Sequence, residues 1–264
     1  MDLQLNDKLA LVTGSTAGIG LAIAKALAGE GARVILNGRT EARVGAAVDG
    51  IRRAHPSARL ERFAADLSQA AAADAVLRQF PGIEILVNNL GIFEPKPFEQ
   101  ITDAQWNAII EANFMSGVRL CRGLLPKMKA TGWGRIIFIS SESAVNIPAE
   151  MIDYGVTKTM QVALARGLAE TTAGTAVTVN SVLAGPTRSE GAEKFLAQMA
   201  RGKGVTEAEF EAEFFRTIRP SSLLRRFATV DEVAAMVAFV ASPLSSATNG
   251  AALRADGGVV RSIL

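Results

Sequence analysis

The residues best suited to chemistry in this sequence are Tyr154 and Lys158, which lie four positions apart. One helical turn separates them, so both side chains lie on the same face of a helix. A phenol has a pKa of about 10 and acts as an acid or base near neutrality only where a cation stabilises its anion. Because Lys158 supplies such a cation, the pair predicts a general acid/base that moves a proton to or from a carbonyl oxygen.

A serine hydroxyl is expected beside this pair. Ser141 precedes Tyr154 by 13 positions and follows a strand predicted over residues 135–140. Open α/β sheets hold their ligands at the carboxyl ends of the strands, so the Ser141 hydroxyl is expected to reach the same carbonyl oxygen. The neighbouring Ser140 and Ser143 are alternatives that these spacings leave open.

A glycine-rich turn joins the first predicted strand to the first predicted helix. Its glycines let the backbone approach a pyrophosphate closely, and the free N–H groups at the start of the helix attract the negative charge. The spacing is Gly-x-x-x-Gly-x-Gly rather than the Gly-x-Gly-x-x-Gly of the dehydrogenase fingerprint. The turn predicts a dinucleotide site made by Gly14, Ser15, Thr16, Gly18, Ile19 and Gly20.

The segment after the second predicted strand indicates which dinucleotide is bound. NAD-binding sheets carry an acidic residue there, which bonds to the 2′-hydroxyl of the ribose. In this chain Asn37 occupies that position, and Arg39 follows just beyond it. A guanidinium suits a 2′-phosphate in charge and geometry, although a surface arginine without a ligand is the alternative. The sequence therefore favours NADP(H) over NAD(H), with Arg39 at the phosphate.

The order of secondary-structure elements indicates the scaffold for these residues. Short β-branched runs alternate with Ala-rich stretches, as in a parallel sheet covered on both faces. Strands are predicted over residues 9–13, 33–37, 59–64, 83–88, 135–140, 176–181 and 251–254, and helices over 19–28, 41–54, 69–79, 103–129, 151–172 and 230–241. We expect an α/β fold of three layers, a Rossmann-type doubly wound parallel sheet of seven strands with helices on both faces.

Residues 1–264 are expected to form a single dinucleotide-binding domain, because no Pro/Ser-rich linker or repeat interrupts the alternation. One stretch is irregular, since residues 188–227 are charged and helix-forming and show no strand signal. Its position before the last helix and strand predicts a helical substrate lid over the strand ends.

The composition excludes several classes of function. With 28 basic and 26 acidic side chains the formal charge is +2, and no basic stripe predicts nucleic-acid binding. One cysteine and one histidine leave neither a disulfide nor a His/Cys cluster for a metal. The longest apolar run, residues 233–241, is too short to cross a membrane, and the N-terminus lacks an export signal, so we expect a cytoplasmic location.

Together these motifs resemble the short-chain dehydrogenase/reductase family, and the resemblance covers the whole chain. It rests on features that follow one another in the family's order, namely the glycine turn, residues 88–91 after the fourth strand, Asn113, Ser141 and the Tyr154/Lys158 pair. Within the family the chain is similar to 3-oxoacyl reductase-like enzymes, through the Asp-Gly-Gly of residues 256–258.

The resemblance implies a role for each matching position. Tyr154 would be the acid/base, Lys158 would lower its pKa and bond the nicotinamide ribose, and Ser141 would orient the substrate oxygen. Asn113 would hold a water in the proton relay. The other implied cofactor contacts are Asp66 and Leu67 at the adenine, Asn89 and Gly91 in the cofactor cleft, and Gly185 with Thr187 or Ser189 near the nicotinamide.

Two positions depart from the family's pattern. Leu90 replaces the usual alanine of the Asn-Asn-Ala-Gly motif, and Ala184 stands where the family usually has a proline before the glycine. The first change places a larger side chain close to the cofactor. The second leaves the conformation of the following loop open.

The function implied is hydride transfer between NADPH and a small carbonyl or secondary-alcohol substrate. Two other functions stay open, a catalytically silent dinucleotide-binding regulatory or scaffold protein and a dehydratase or epimerase that uses the nicotinamide transiently. The resemblance also implies a homo-oligomer, a tetramer or dimer, formed through the helices 103–129 and 151–172. Such an assembly would bury part of the apolar content, which is 49% of the chain.

Overall fold

A seven-stranded parallel sheet forms the centre of the computed structural model, which describes residues 1–263 apart from the side chains at positions 194 and 195. The strands are β1 (Leu9–Val12), β2 (Arg33–Gly38), β3 (Arg59–Ala64), β4 (Ile85–Asn88), β5 (Gly134–Ser141), β6 (Val177–Ala184), β7 (Thr187–Arg188), β8 (Ala228–Thr229) and β9 (Ala252–Ala255). The large sheet has the order β3-β2-β1-β4-β5-β6-β9. The prediction of a doubly wound seven-stranded sheet is therefore confirmed.

Helices cover both faces of this sheet. They are α1 (Gly18–Gly29), α2 (Glu41–Ala54), α3 (Ala70–Gln79), α4 (Asp103–Ile110), α5 (Ser116–Thr131), α6 (Ile152–Glu170), α7 (Glu190–Lys203), α8 (Glu207–Thr217) and α9 (Val230–Ala241). Apolar side chains of α1, α2 and α9 form the core on one face, and those of α3, α5 and α6 form the core on the other. The central strands are wholly buried because both of their faces are covered.

The direction of winding reverses between β1 and β4, and their carboxyl ends open the crevice where such sheets bind ligands. Strands β5 and β6 extend further than the sequence predicted, because Ser141 pairs with Ala184 at their ends. Ala184 also pairs with Ala255, so the position without the family's proline is a regular strand residue.

The predicted helix over 103–129 is interrupted near its middle. A π-helical turn, Glu111–Met115, separates α4 from α5, and the N–H of Ser116 donates to the carbonyl of Glu111 five residues earlier. This wider turn displaces the backbone around Asn113 from the regular helical path. The uninterrupted helix expected from the sequence was therefore wrong at the position of a candidate site residue.

The irregular stretch before the last helix contains α7 and α8, as its composition predicted. Its own small core includes Leu196, Phe210, Phe215 and Phe227. The expectation that it contains no strand was wrong at its start, because β7 pairs in parallel with β8 and ties the two ends of the stretch together. Within residues 1–263, no helix is long and apolar enough to span a membrane.

Candidate active site

The tyrosine, the lysine and one serine meet at the carboxyl end of β5. The hydroxyl of Ser141 hydrogen-bonds to the phenol of Tyr154. The ammonium of Lys158 lies 5.5 Å from the centre of the Tyr154 ring, because both residues lie on one face of α6. Lys158 is buried, and its Nζ donates to the carbonyl oxygen of Ile139 on β5 at 2.8 Å. The sheet end and the helix together position the three side chains.

Burial shifts the pKa values of both titrating groups in this cluster. It raises the pKa of Tyr154 to about 12, against the opposing hydrogen bond from Ser141 and with a smaller contribution from the charge of Glu142. Burial also lowers the pKa of Lys158 to about 8. Strongly shifted groups that share a cleft are typical of proton-transfer sites. The cluster can therefore exchange a proton with an oxygen placed beside Ser141.

The three candidate serines have different partners. Ser140 donates to the carbonyl of Lys158 at 2.9 Å and so fixes α6 to the sheet. Ser143 donates to the Glu142 carboxylate at 3.3 Å. Only the Ser141 hydroxyl contacts the phenol among the three, and it also accepts a hydrogen bond from the N–H of Ser143. The geometry therefore favours Ser141.

Asn113 is buried behind this cluster, and protein groups use its polar atoms. Its side-chain oxygen accepts from the N–H of Ile92 at 2.7 Å, and its amide nitrogen donates to the carbonyl of Ile92 and to the Thr157 hydroxyl. The carbonyl oxygen of Asn113 accepts from the side chain of Gln161. The water that the resemblance implies at Asn113 stays a prediction. Gln161 and Thr157 were missed in the sequence.

The glycine turn has a backbone that suits a pyrophosphate. Gly14 and Gly18 have φ angles of 61° and 56°, which residues with a side chain rarely adopt. A β-carbon at Gly20 would lie 2.4 Å from Asn89 Nδ2 and 2.6 Å from the Gly14 oxygen. In the described part of the chain, no side chain caps the start of α1 and its first turn holds no acidic residue. The turn therefore fits the negative charge of a dinucleotide.

The polar side chains around this turn hold it in place rather than face a ligand. The Ser15 hydroxyl donates to Val12 and accepts from the N–H of Asn37, and Ser15 is fully buried. Asn89 donates to the carbonyls of Thr13 and Gly14. The N–H of Ser15 also donates to the Asn37 carbonyl, so neither the hydroxyl nor the N–H of Ser15 is left for a cofactor. Asn89 acts on the site by fixing the turn.

The end of β2 shows what replaces the acidic residue of NAD-binding sheets. Asn37 is buried, its oxygen accepts from the N–H of Gly14, and its nitrogen donates to Phe63 and Ala65. The Asn37 side chain therefore has no group left for a ribose hydroxyl. Arg39 is exposed beyond the strand end, and Thr16 packs over Gly38 beside it.

The remaining predicted cofactor contacts lie around the same crevice. Leu67 is 1% exposed and packs in the core, so only its backbone can meet an adenine. The Asp66 carboxylate accepts from Ser68, and Leu90 packs against the core on the same face of the sheet. The larger side chain of Leu90 is therefore partly buried against that core.

Two glycines permit close packing near the catalytic cluster. A β-carbon at Gly91 would lie 3.6 Å from Lys158 Nζ, so this loop passes directly over the ammonium. A β-carbon at Gly185 would lie 2.5 Å from the Asp256 carbonyl oxygen. The hydroxyl of Thr187 donates to the Gly185 carbonyl, and the side chain of Ser189 lies next to Gly18 of the glycine turn. The start of the irregular stretch thus lies against the cofactor crevice.

A buried ion pair connects that stretch to the catalytic strand, and the sequence did not reveal it. Arg219, which follows α8, donates from Nε to the Glu142 carboxylate at 2.8 Å, and Glu142 is 3% exposed. Burial raises the pKa of Glu142, and Arg219 opposes that rise. The two residues are 77 positions apart, so neither their spacing nor a local motif indicated the contact.

Replacing Arg219 by leucine is expected to destabilise the fold in a pH-dependent way. The variant leaves a buried carboxylate without its cation, which costs about 3 kcal/mol of unfolding free energy at pH 8. The pKa of Glu142 then rises further, so the folded state takes up a proton as the pH falls and the loss becomes smaller toward pH 5. Urea denaturation at pH 8 and at pH 5 measures the loss of unfolding free energy.

The control for this variant is Arg226→Leu, which removes an ion pair to Glu232 in which both side chains are nearly half exposed. An exposed pair contributes less than about 1 kcal/mol. An Arg219→Leu variant with the same loss at pH 5 and pH 8 would contradict the assignment of the effect to the Glu142 charge.

A doubly wound sheet with a glycine turn at β1 and a Ser–Tyr–Lys cluster at β5 is the arrangement of a nicotinamide-dependent oxidoreductase. Comparison with known proteins agrees. The family model described as "short chain dehydrogenase" matches residues 8–200. The chain therefore belongs to the short-chain dehydrogenase/reductase family, and it is an oxidoreductase that interconverts CH–OH and C=O groups with a nicotinamide cofactor.

Three relatives illustrate the similarity. The uncharacterized oxidoreductase YvaG of Bacillus subtilis is 49% identical over 263 residues, which is 100% of each chain. A 3-oxoacyl-[acyl-carrier-protein] reductase of Aquifex aeolicus is 30% identical and covers 98% of this chain and 100% of its own. The structure of L-sorbose reductase from Gluconobacter frateurii, complexed with NADPH and L-sorbose, is 30% identical, covers 100% of both chains and superposes with a TM-score of 0.93.

Proposed function

We propose that this protein is an NADP(H)-dependent reductase/dehydrogenase in which Tyr154 is the general acid/base, Lys158 supports its anion and Ser141 orients the reacting oxygen. The observation that carries the proposal is the cluster at the end of β5, where Ser141 hydrogen-bonds to the Tyr154 phenol and the Lys158 ammonium lies 5.5 Å from its ring. Bound nicotinamide would supply hydride to the carbonyl carbon in reduction, or accept it in oxidation.

Residues of this chain then supply the proton in reduction and take it up in oxidation. In reduction the Tyr154 hydroxyl gives its proton to the substrate oxygen, which Ser141 also contacts by a hydrogen bond. The resulting phenolate is stabilised by the ammonium of Lys158, which α6 holds against the carbonyl of Ile139. In oxidation the phenolate takes the proton back from the alcohol. The glycine turn and Gly91 would hold the cofactor at the mouth of the crevice.

The preference for NADP(H) is supported by the end of β2. Asn37 bears no charge and its side chain is hydrogen-bonded to backbone groups, so Asn37 does not repel a 2′-phosphate as an acidic residue would. Arg39 is exposed at the place where that phosphate would lie. The L-sorbose reductase of similar structure was crystallised with NADPH, which agrees with this preference.

An Arg39→Ala variant tests the cofactor preference. Removing the guanidinium takes away a charge-assisted contact, so the Kd of NADPH is expected to rise about 10- to 100-fold. The Kd of NADH is expected to change less than about twofold, because NADH has no 2′-phosphate. Fluorescence titration measures both constants, with Arg43→Ala on the adjacent α2 as the control. An unchanged NADPH constant would show that Arg39 does not bind the phosphate.

The substrate is proposed to be a small molecule with a ketone or secondary alcohol. The named relatives act on a ketose and on a 3-oxoacyl thioester, so a panel of ketoses, 3-oxo acids and 3-oxoacyl thioesters covers the relevant classes. NADPH consumption with one equivalent of alcohol formed supports the proposal. NADPH binding without turnover would indicate a silent protein, and product without net NADPH consumption would indicate a dehydratase or epimerase.

Residues 1–264 are proposed to act as one domain, with α7 and α8 as the substrate lid. The position of Ser189 against Gly18 and the ion pair between Arg219 and Glu142 support this, because both ends of the lid meet the crevice. We also propose a homo-oligomer formed through α5 and α6. A surface depression between these helices is lined by Val118, Leu125, Leu164 and Leu168, which suits an apolar contact between subunits.

A further inference from the structure

A buried glutamine connects two residues of the site and belongs to none of the motifs. Gln161 follows Lys158 by three residues on α6 and is 1% exposed. Its Oε1 accepts a hydrogen bond from Lys158 Nζ at 3.3 Å, and its Nε2 donates to the backbone carbonyl of Asn113. Burying a primary amide is costly unless both of its ends are hydrogen-bonded. Both ends are bonded here, and both partners belong to the candidate site.

The surroundings of Lys158 make its hydrogen bond to Gln161 important. Within the described part of the chain, the acceptors recorded for its ammonium are the neutral oxygens of Ile139 and Gln161. Of the titratable side chains on α6, Tyr154 is the one whose ring lies 5.5 Å from the ammonium, and Glu142 from the turn after β5 acts on that phenol. Burial lowers the pKa of Lys158 to about 8, so each hydrogen-bond acceptor helps to keep the ammonium charged near neutrality.

The amide nitrogen of Gln161 reaches the π-helical turn between α4 and α5. Asn113 lies in the π-helical turn between α4 and α5, and its side chain is already bonded to Ile92 and Thr157. The carbonyl oxygen of Asn113 accepts the Gln161 amide from across the packed helices. The glutamine thus joins α6 to the turn, and it fixes the position of the Lys158 amine relative to both.

We infer that Gln161 is a positioning residue that holds the Lys158 ammonium beneath Tyr154 through a side-chain bridge to the Asn113 carbonyl. The inference rests on the proposed role of Lys158 in proton transfer. A water molecule with the same two partners can make the same hydrogen bonds, so the bridge acts through its polar groups and not through its bulk.

Two variants separate this role from simple packing. Gln161→Leu fills the volume but has no polar groups, whereas Gln161→Ala leaves room for a water between Lys158 and the Asn113 carbonyl. We expect kcat for ketone reduction to fall about 10- to 100-fold in the leucine variant, and we expect a smaller fall in the alanine variant. Packing alone predicts the opposite order, because alanine leaves the larger cavity.

The pH profile provides the second measurement. Without the Gln161 acceptor the ammonium is less stable, so Lys158 loses its proton at lower pH. The alkaline limb of kcat for reduction is therefore expected to move down by about one pH unit in Gln161→Leu and to stay near its original position in Gln161→Ala.

The control is Thr159→Val on the same helix, which removes the partly buried hydrogen bonds that the Thr159 hydroxyl donates to the carbonyls of Ala144 and Gly155. This variant is expected to lower Tm without moving the pH profile. A leucine variant with an unchanged profile and kcat, or one less affected than the alanine variant, would overturn the inference. The function proposed above is tested independently, because it fails if Tyr154→Phe stays active or if the original protein turns over no substrate of the carbonyl panel with net NADPH consumption.

Discussion

Tyr154→Phe is expected to reduce kcat by about 10³- to 10⁴-fold, because it removes the group that gives the proton to the substrate oxygen. The substitution deletes one oxygen and keeps the ring, which packs edge-on against Phe93 with their centres 5.8 Å apart. The loss should therefore appear in the chemical step. Steady-state kinetics with the best substrate of the panel measures it.

Cofactor binding and stability are the controls for this variant. The glycine turn connects β1 to α1 and Arg39 follows β2, whereas Tyr154 lies on α6, so the Kd of NADPH is expected to stay within about threefold of the original value. A similar Tm would show that the ring still packs. If Tyr154→Phe retained a tenth of the activity or more, Tyr154 would not be the acid/base.

Lys158→Met is expected to be the second most damaging change. The ammonium lies 5.5 Å from the centre of the phenol ring, and burial already raises the pKa of Tyr154 to about 12. Without the cation the phenolate becomes still less stable, so its fraction at a given pH falls about tenfold for each unit of further rise. We expect kcat for alcohol oxidation to fall about 10²- to 10³-fold near neutrality.

The sign of the pH dependence separates this role from a structural one. In the original protein Lys158, whose pKa burial lowers to about 8, loses its charge above that pH and no longer stabilises the phenolate, whereas Lys158→Met has no such charge to lose. The deficit of Lys158→Met in oxidation, measured against the original protein at the same pH, is therefore expected to shrink as the pH is raised toward 10. A plain structural defect would lower oxidation equally at all pH values. Lys158→Arg, which keeps a cation of different shape, is expected to retain more activity than the methionine variant.

The ion pair between Arg219 and Glu142 connects the proposed lid to the strand end that carries Ser141. Arg219 reaches Glu142, the residue directly after Ser141, from the segment that follows α8. The charge of Glu142 in turn raises the pKa of Tyr154. A movement of the proposed lid that displaced Arg219 would therefore change the electrostatic surroundings of the phenol, and in the proposed function this would link substrate access to proton transfer.

Much of the fold and of the candidate site could be predicted because the signals are local. The alternation of β-branched and Ala-rich runs reports burial on both faces of a parallel sheet, and it located all seven strands of the large sheet. The spacing of Tyr154 and Lys158 reports one helical turn, and the helix places both side chains together. The glycine turn follows from backbone angles that only glycine adopts easily.

Tertiary structure alone decided which polar atoms are free for a ligand. The sequence predicts Ser15 at the dinucleotide, but its hydroxyl bonds to the Val12 carbonyl and to the N–H of Asn37. The side chain of Asn37 likewise bonds to backbone groups, which are those of Gly14, Phe63 and Ala65. Gln161 looked like one polar residue on an Ala-rich helix, and the packing of α6 against the π turn brings it between Lys158 and Asn113. Such partners lie far apart along the chain, and strand register and helix packing, which no local pattern encodes, determine which of them meet.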